Sequence, residues 1–337
     1  MKFGTFHLFS VPPWTNQNDV IEQQLAQAAT AEQLGFHEAW LAEHNGQRWG
    51  LGGNCLIPAA AIAASTSRIR IGTAVTRLPL HHPLHLAEDL AYVDVLSRGR
   101  LDWGVGKGYD PLEFSTYGVP FDEREDRWQK TFDAVKHIWG SGRTEYATEY
   151  FKMADAELIP RPMQRPELPI YVMVSKSDAS VVWAAQHLYP VVLGQGVDWV
   201  DAKAKRELFE KTALAAGYGE DAVREALGRF WQLRQIHVST TTERAEAEYR
   251  DSLMWYFQEK GNRLMFGFPV EPHPYEWYVD HSSVALGSPE KVAADLADYA
   301  EQTGMPNVLA WFNVGHQPHG QVEASMRRFA EEVIPML

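Results

Sequence analysis

The chain has 337 residues, 45% of them hydrophobic, which is ample for a large core; length alone points to about two domains, although single α/β barrels routinely run to about 250 residues or more. A formal net charge of −13, spread along the sequence, argues against nucleic acid or an anionic membrane surface as the main partner. The single cysteine, Cys55, excludes an intramolecular disulfide and a CxxC metal clamp, and no run approaches the roughly 18 apolar residues of a membrane span.

Met1 to Phe9 already reads as a strand, with no charged leader ahead of a long apolar stretch, so a soluble cytoplasmic protein is expected. Strand-like runs then recur at KFGTFHLF from Lys2, HEAWLAE from His37, RIRIGTAV from Arg68 and RLDWGVG from Arg100. Between them lie helical stretches. Asn18 or Asp19 is placed to cap a first helix with Ile21, Leu25 and Ala28 on one face, ending at Gly35. The Ala-rich run Ile57–Ala64 makes a second, and His82 to Leu96 a third that stops at Arg98-Gly99. A period of roughly 30 residues is what successive βα units require.

Further strands fit at Pro169–Val174, Tyr189–Leu193, Arg229–Val238 and Asn307–Phe312. Eight strands with about eight helices predict an α/β fold, a closed (β/α)8 TIM barrel spanning 1–337 as one domain, with insertions after strands four and seven. The first insertion, Gly140 to Pro169, carries Tyr146, Tyr150 and Phe151 and reads as a hairpin plus loop. The second, Glu259 to Gly287, is loaded with aromatics and prolines and reads as an irregular lid over a site, or as an interface. Ser288-Pro289-Glu290 restarts a helix cleanly, with an N-cap followed by proline.

Four strand ends carry the chemistry, since in a parallel α/β protein ligands bind beyond the C-terminal ends of the strands. They are LAEHNG (Leu41–Gly46), GTAV (Gly72–Val75), GVGKG (Gly104–Gly108) and VSKSDAS (Val174–Ser180). His44 is the leading acid–base candidate; side chains alternate along a strand, so Glu43 is expected to point away from it. GVGKG is neither a Walker loop nor a good dinucleotide fingerprint, but it offers close backbone approach and one cation, Lys107. Ser177 is suited to cap a helix, with Ser180 beside the same free amides and Lys176 adding charge. Asp178 competes for that positive end, and ordinary capping explains the stretch equally well. His81, His82 and His85 lack a carboxylate at a zinc-binding spacing and read as a solvated helix start.

The blocks LAEHN, GNCLIPAAA, IGTAV, HPLHLAEDLAYVDVLSRGRLDWGVGKG, YVMVSKSDASVVWAA and GSPEKVAADL, together with a final VIPML, run nearly the whole length. By them the chain resembles the bacterial luciferase-like flavin monooxygenase superfamily, and in pattern its luciferase alpha-subunit branch. The resemblance implies that His44 is essential to the oxygenation chemistry and that a non-proline cis peptide beneath the flavin ring falls on Ala74-Val75. It puts FMN phosphate on Lys107, Ser177 and Ser180, with Lys176 alongside, and a substrate-pocket tryptophan on Trp255. Lys107 stands where the family has arginine, Gly106 where it has a reactive cysteine, and Asn45 where luciferase has a second histidine. These departures count against light emission and a long-chain aldehyde substrate, not against flavin.

The implied function is two-component monooxygenation. FMN, supplied as FMNH2 by a separate flavin reductase, would form a C4a-(hydro)peroxide with O2 and pass one oxygen to an organic, apolar or aromatic small molecule. No metal is called for, and the resemblance implies a homodimer. Two alternatives stay open: an F420-dependent hydride-transfer enzyme, whose anionic cofactor tail would favour several basic residues at the barrel mouth, and a non-catalytic flavin-binding accessory protein.

Overall fold

In the computed structural model, residues 1–195, 197–261, 264–265, 268–269, 273–281 and 284–337 are described. Eight strands form the frame: β1 (Lys2–His7), β2 (Glu38–Leu41), β3 (Arg70–Thr73), β4 (Leu101–Gly106), β5 (Ile170–Val174), β6 (Val191–Leu193), β7 (Trp231–Val238) and β8 (Asn307–Trp311). All pairings are parallel and follow chain order, and β8 returns to β1, which closes the barrel. Every stretch read as a barrel strand forms one, its ends trimmed by one or two residues.

Alternation along each strand separates two cores. Phe6, Trp40, Trp231, Leu233, Leu309 and Trp311 fill the barrel, while Ala39, Leu41, Ile236, Val308 and Ala310 face the surrounding helices. Space for the indole of Trp40 is made by Gly72 on the next strand, where a Cβ would stand 2.2 Å from Trp40 Cδ2. At the barrel floor Arg70 holds Asp102 through two hydrogen bonds of 2.7 Å, and Trp40 Nε1 donates to Glu38 at 2.6 Å.

The helices that matter for the site are α1 (Gln17–Gln33), α2 (Leu56–Ser65), α3 (Pro83–Ser97), α4 (Arg124–Ser141), α5 (Asp178–Gln186), α6 (Trp199–Ala215) and α7 (Thr242–Gly261). The first helix departs from its expected form. Asn16 is the cap, accepting from Asn18 N at 3.0 Å, and the buried face is Gln24, Gln27, Ala28 and Ala31, with Ile21 exposed. Two buried glutamines take this face because they have polar partners: Gln24 meets His7 at 3.3 Å and Gln27 meets His319 at 3.0 Å. Apolar periodicity cannot register such pairs.

Between β4 and β5 lies an antiparallel hairpin, Tyr146–Ala147 with Lys152–Met153. After β7 the segment read as irregular is more regular than expected. Helix α7 continues to Gly261, a short hairpin pairs Leu264–Met265 with Phe268–Pro269, a helix spans Tyr275–His281, and Val284–Gly287 adds a parallel strand to the outer half of β7. Four apolar residues hemmed in by polar neighbours gave that strand no signature of its own. The lid expected here falls partly on 262–263, 266–267, 270–272 and 282–283, which lie outside the described residues. Among the described residues no helix is long and apolar enough to cross a membrane.

Candidate active site

Strand β2 stops at Leu41, and the chain turns so that His44 N donates to Gly52 O at 2.8 Å, closing a loop. That loop is tied to the segment after β1: Val11 N donates to Arg48 O at 2.6 Å and Ser10 Oγ to Trp49 O at 2.8 Å. The ties hold the Trp49 ring against the imidazole of His44, with ring centres 4.2 Å apart. His44 Nδ1 lies 2.9 Å from Oε1 of Glu113, on a short helix (Pro111–Thr116) whose cap, Asp110, accepts from Leu112 N.

Glu113 is one link of a buried chain of charges. Its Oε2 meets Arg77 Nη1 at 2.6 Å, Arg77 Nε donates to Glu43 Oε1 at 3.1 Å, and His81 Nε2 reaches the same oxygen at 2.8 Å. Asn45 stitches the chain together, its N–H donating to Glu113 and its Oδ1 accepting from Arg77. Burial opposes ionisation of Glu113, but His44 and Arg77 overcome it and hold the carboxyl down at about 2. For His44 burial is the largest influence and lowers the imidazole from 6.5, with Glu113 acting in opposition. A neutral ring beside an ionised acceptor places its proton on Nδ1 and leaves the Nε2 lone pair available.

The strand ends before His44, so alternation does not govern the pair; Glu43 is held by Arg77 and His81 and makes no bond to His44. His81 is therefore no solvated helix start: its Nε2 meets the buried Glu43 carboxylate, which Arg77 also holds. Among the described residues no group of three or more His, Cys, Asp or Glu is placed to hold a metal ion. Sequence reasoning missed both Glu113 and Arg77. Glu113 lies 69 residues from His44 in the chain, and neither residue sits in a motif that announces a pairing.

Just beyond β3 the Ala74-Val75 peptide is cis. Threonines on both flanks fix it to β4: Thr73 Oγ1 and Thr76 Oγ1 both donate to Gly104 O, at 2.9 and 3.0 Å. Gly106 at the end of β4 keeps the approach clear, since a Cβ there would stand 2.7 Å from Val75 Cγ2.

On the neighbouring strand end, Ser177 caps α5 by accepting from Ser180 N at 3.3 Å. Helix geometry leaves the amides of Asp178 and Ala179 without partners inside the helix. The objection from Asp178 is met by Lys205, which binds that carboxylate at 3.0 Å. Lys176 is exposed beside this terminus. Lys107, past the end of β4, is ion-paired with Glu125 on α4 and lies 5.6 Å above the Trp128 ring. The structure thus gathers Lys176, Ser177 and Ser180 at one helix end and turns Lys107 toward a carboxylate. The ring contacts of Trp255 are with Trp14 and His316, each 6.1 Å away. Its neighbour Tyr256 is the residue on α7 that meets Trp49, also at 6.1 Å, and Lys260 one turn later lies over both of those rings. Neither Tyr256 nor Lys260 is marked by the sequence reading, which ends its ordered stretch at Glu259 and so puts Lys260 in the irregular segment, whereas both lie on α7.

This geometry has relatives. The alkanal monooxygenase alpha chain of Photorhabdus laumondii is 24% identical over all of this chain and 98% of its own length. The monooxygenase RslO1 from Streptomyces bottropensis superposes with a TM-score of 0.88 at 25% identity, covering 99% of both chains. The oxygenating constituent of 3,6-diketocamphane monooxygenase of Pseudomonas putida, solved in complex with FMN, has a TM-score of 0.83 at 19% identity, covering 99% of this chain and 98% of its own. The fold is also that of an F420-dependent secondary alcohol dehydrogenase, with a TM-score of 0.75 at 17% identity over 100% of this chain and 99% of that one. The model of the luciferase-like monooxygenases matches residues 1–305, and the chain belongs to that family.

Proposed function

We propose that this flavin-dependent monooxygenase is the oxygenating half of a two-component system. It takes FMN in reduced form from a separate flavin reductase and passes one atom of O2 to an apolar or aromatic organic molecule. The observation that carries the reading is the His44–Glu113 pair, with Nε2 left available, at the same barrel mouth as the Ala74-Val75 platform and the Ser177 helix end.

The residues present fit the cofactor. A flat ring finds its platform at Ala74 and Val75, kept open by Gly106. An anionic tail finds the α5 amides with Ser177, Ser180 and Lys176, and Lys107 once Glu125 yields it. Reduced FMN, when bound, supplies the reaction with O2. His44 takes up and returns a proton at Nε2, Glu113 holds its tautomer, and the rings of Trp49 and Tyr256 exclude water. Trp255 is assigned to the substrate side through the family resemblance alone.

The second reading, F420-dependent hydride transfer, is favoured by the F420-binding neighbour on the same fold. Anaerobic titration with reduced FMN and with reduced F420, then mixing with oxygen in a stopped-flow cell, separates the two. Tight binding of reduced FMN and an altered rate of its reoxidation are expected; binding of F420 in its place reverses the assignment. His44→Ala should leave FMN affinity nearly intact and lower product formation by roughly 10²–10⁴, the usual worth of a positioned acid–base group. Unchanged turnover at saturating substrate would move the proton chemistry elsewhere.

A further inference from the structure

Three hydrogen-bond donors around the Trp49–Tyr256 ring pair have no acceptor among the described residues. Trp49 is 97% buried by virtue of a relative exposure of 3%, and its Nε1–H is unsatisfied. Tyr256 donates its hydroxyl to Gln195 Oε1 at 3.0 Å, which fixes the amide and leaves the buried Gln195 Nε2 unsatisfied. The third donor is the ammonium of Lys260, 5.8 Å from the centre of the Trp49 ring and 5.7 Å from that of Tyr256. No carboxylate among the described residues pairs with it. Burial first, and the positive Lys176 second, lower this ammonium from 10.5 to about 8, so it still carries its charge at pH 7.

Buried donors are almost always satisfied, because a donor taken out of water without a partner loses its hydrogen bond and gains nothing in return. Two such donors, with the ammonium of half-buried Lys260 over the same ring pair, call for a ligand rich in acceptors. The cofactor's phosphate has its own donors at the Ser177 helix end, whereas these three lie around the Trp49 ring that packs against His44 and the Tyr256 ring beside it.

We propose that Lys260, Trp49 Nε1 and Gln195 Nε2 form a subsite for an anionic oxygen, and that the substrate is a flat apolar molecule bearing a carboxylate or an ionised phenol or enol. The inference rests on the monooxygenase reading and names its substrate class. A cation over two aromatic faces in a partly dry pocket discriminates strongly between an acid and its neutral isostere, since only the acid restores the ammonium's missing counter-charge.

The test uses 2-naphthoate and its neutral counterpart 2-naphthamide, titrated calorimetrically into the full chain with and without saturating oxidised FMN. The wild-type protein should bind the acid at least about tenfold more tightly than the amide, that factor being 1.4 kcal/mol. Lys260→Met should abolish the preference while leaving amide binding within about twofold, Lys260→Arg should retain it, and Trp49→Phe should weaken it. Melting temperatures report whether each variant is folded, and the arginine variant decides the case if the methionine variant is not. Equal affinity for acid and amide, or binding of neither at millimolar concentration, overturns the proposal. It is also overturned if Lys260→Met weakens FMN far more than riboflavin, because the ammonium would then belong to the cofactor phosphate. Should the wild-type chain fail to bind FMN at all, the monooxygenase mechanism falls, while the acid–amide comparison in the cofactor-free protein still decides the subsite.

Discussion

A histidine whose outer nitrogen does chemistry needs its inner nitrogen committed, and Glu113 does this for His44 from the dry side of the site. Because the carboxylate opposes the lowering effect of burial, Glu113→Gln should move the ionisation of His44 to still lower pH. If the neutral imidazole is the working form, the acid limb of the pH–rate profile shifts down with it, and turnover at the plateau falls as the tautomer is released. A limb that stays in place would show that His44 is not the group being titrated. At the barrel floor, burial and the nearby Asp102 carboxylate raise Glu38 above its ordinary 4.5. A raised acid contributes stability below its unfolded value that is lost as pH climbs through the folded one. The contribution of Glu38 to thermal stability should therefore fall from about pH 5 upward, read as a difference in Tm between wild type and Glu38→Gln that changes with pH; a difference constant across that range would sink the assignment. At this scale the sequence is read unevenly. His44 stood out because it follows an apolar strand, and the Ala74-Val75 peptide through family likeness. Glu113, Arg77 and Lys260 carry no local mark, since their roles come from packing between distant strand ends.

Elements were far more legible, because a buried parallel strand writes itself as a compact apolar run ending in small or polar residues. That rule located all eight barrel strands, and capping chemistry located Ser177 and Ser288 at their helix starts. It failed for Val284–Gly287, too short for a pattern, and for the face of α1, where glutamines replaced the expected apolar residues. The barrel's interior layer yields a direct test. Gly72→Ala would put a methyl carbon 2.2 Å from the rigid, fully buried Trp40 ring, so the strand or the indole must move. Overpacking of this kind costs typically 1–3 kcal/mol. Chemical denaturation should show a loss in that range, and a neutral result would mean the ring has room that the structure does not show. Ser177→Ala should cost about 1 kcal/mol through the lost α5 cap and also weaken FMN, two effects that riboflavin separates because it lacks the phosphate.

At the scale of the whole molecule, the surface of α2 and α3 is the feature left to explain. These helices pack side by side, and their outward faces carry several large apolar side chains beside the charged Glu88 and Asp89. Ile57 is 71% exposed and Tyr92 61%, with Leu96 beside it and Ala61 and Ala64 continuing the α2 face at i+4 and i+7. A contiguous patch of this kind marks an interface, and small residues along a helix allow a second helix to approach closely. The homodimer that the family resemblance implies would, on this face, set α2 and α3 of each copy against those of the other about a two-fold axis. The wild-type chain should sediment as a dimer at micromolar concentration. Placing two like charges at the axis, Ile57→Lys with Tyr92→Lys, should give a monomer. Every residue assigned to the cofactor lies within one chain, so the monomer should bind FMN with unchanged affinity. A wild-type chain that runs as a monomer would remove the dimer, and a double variant that remains dimeric would place the interface on another face.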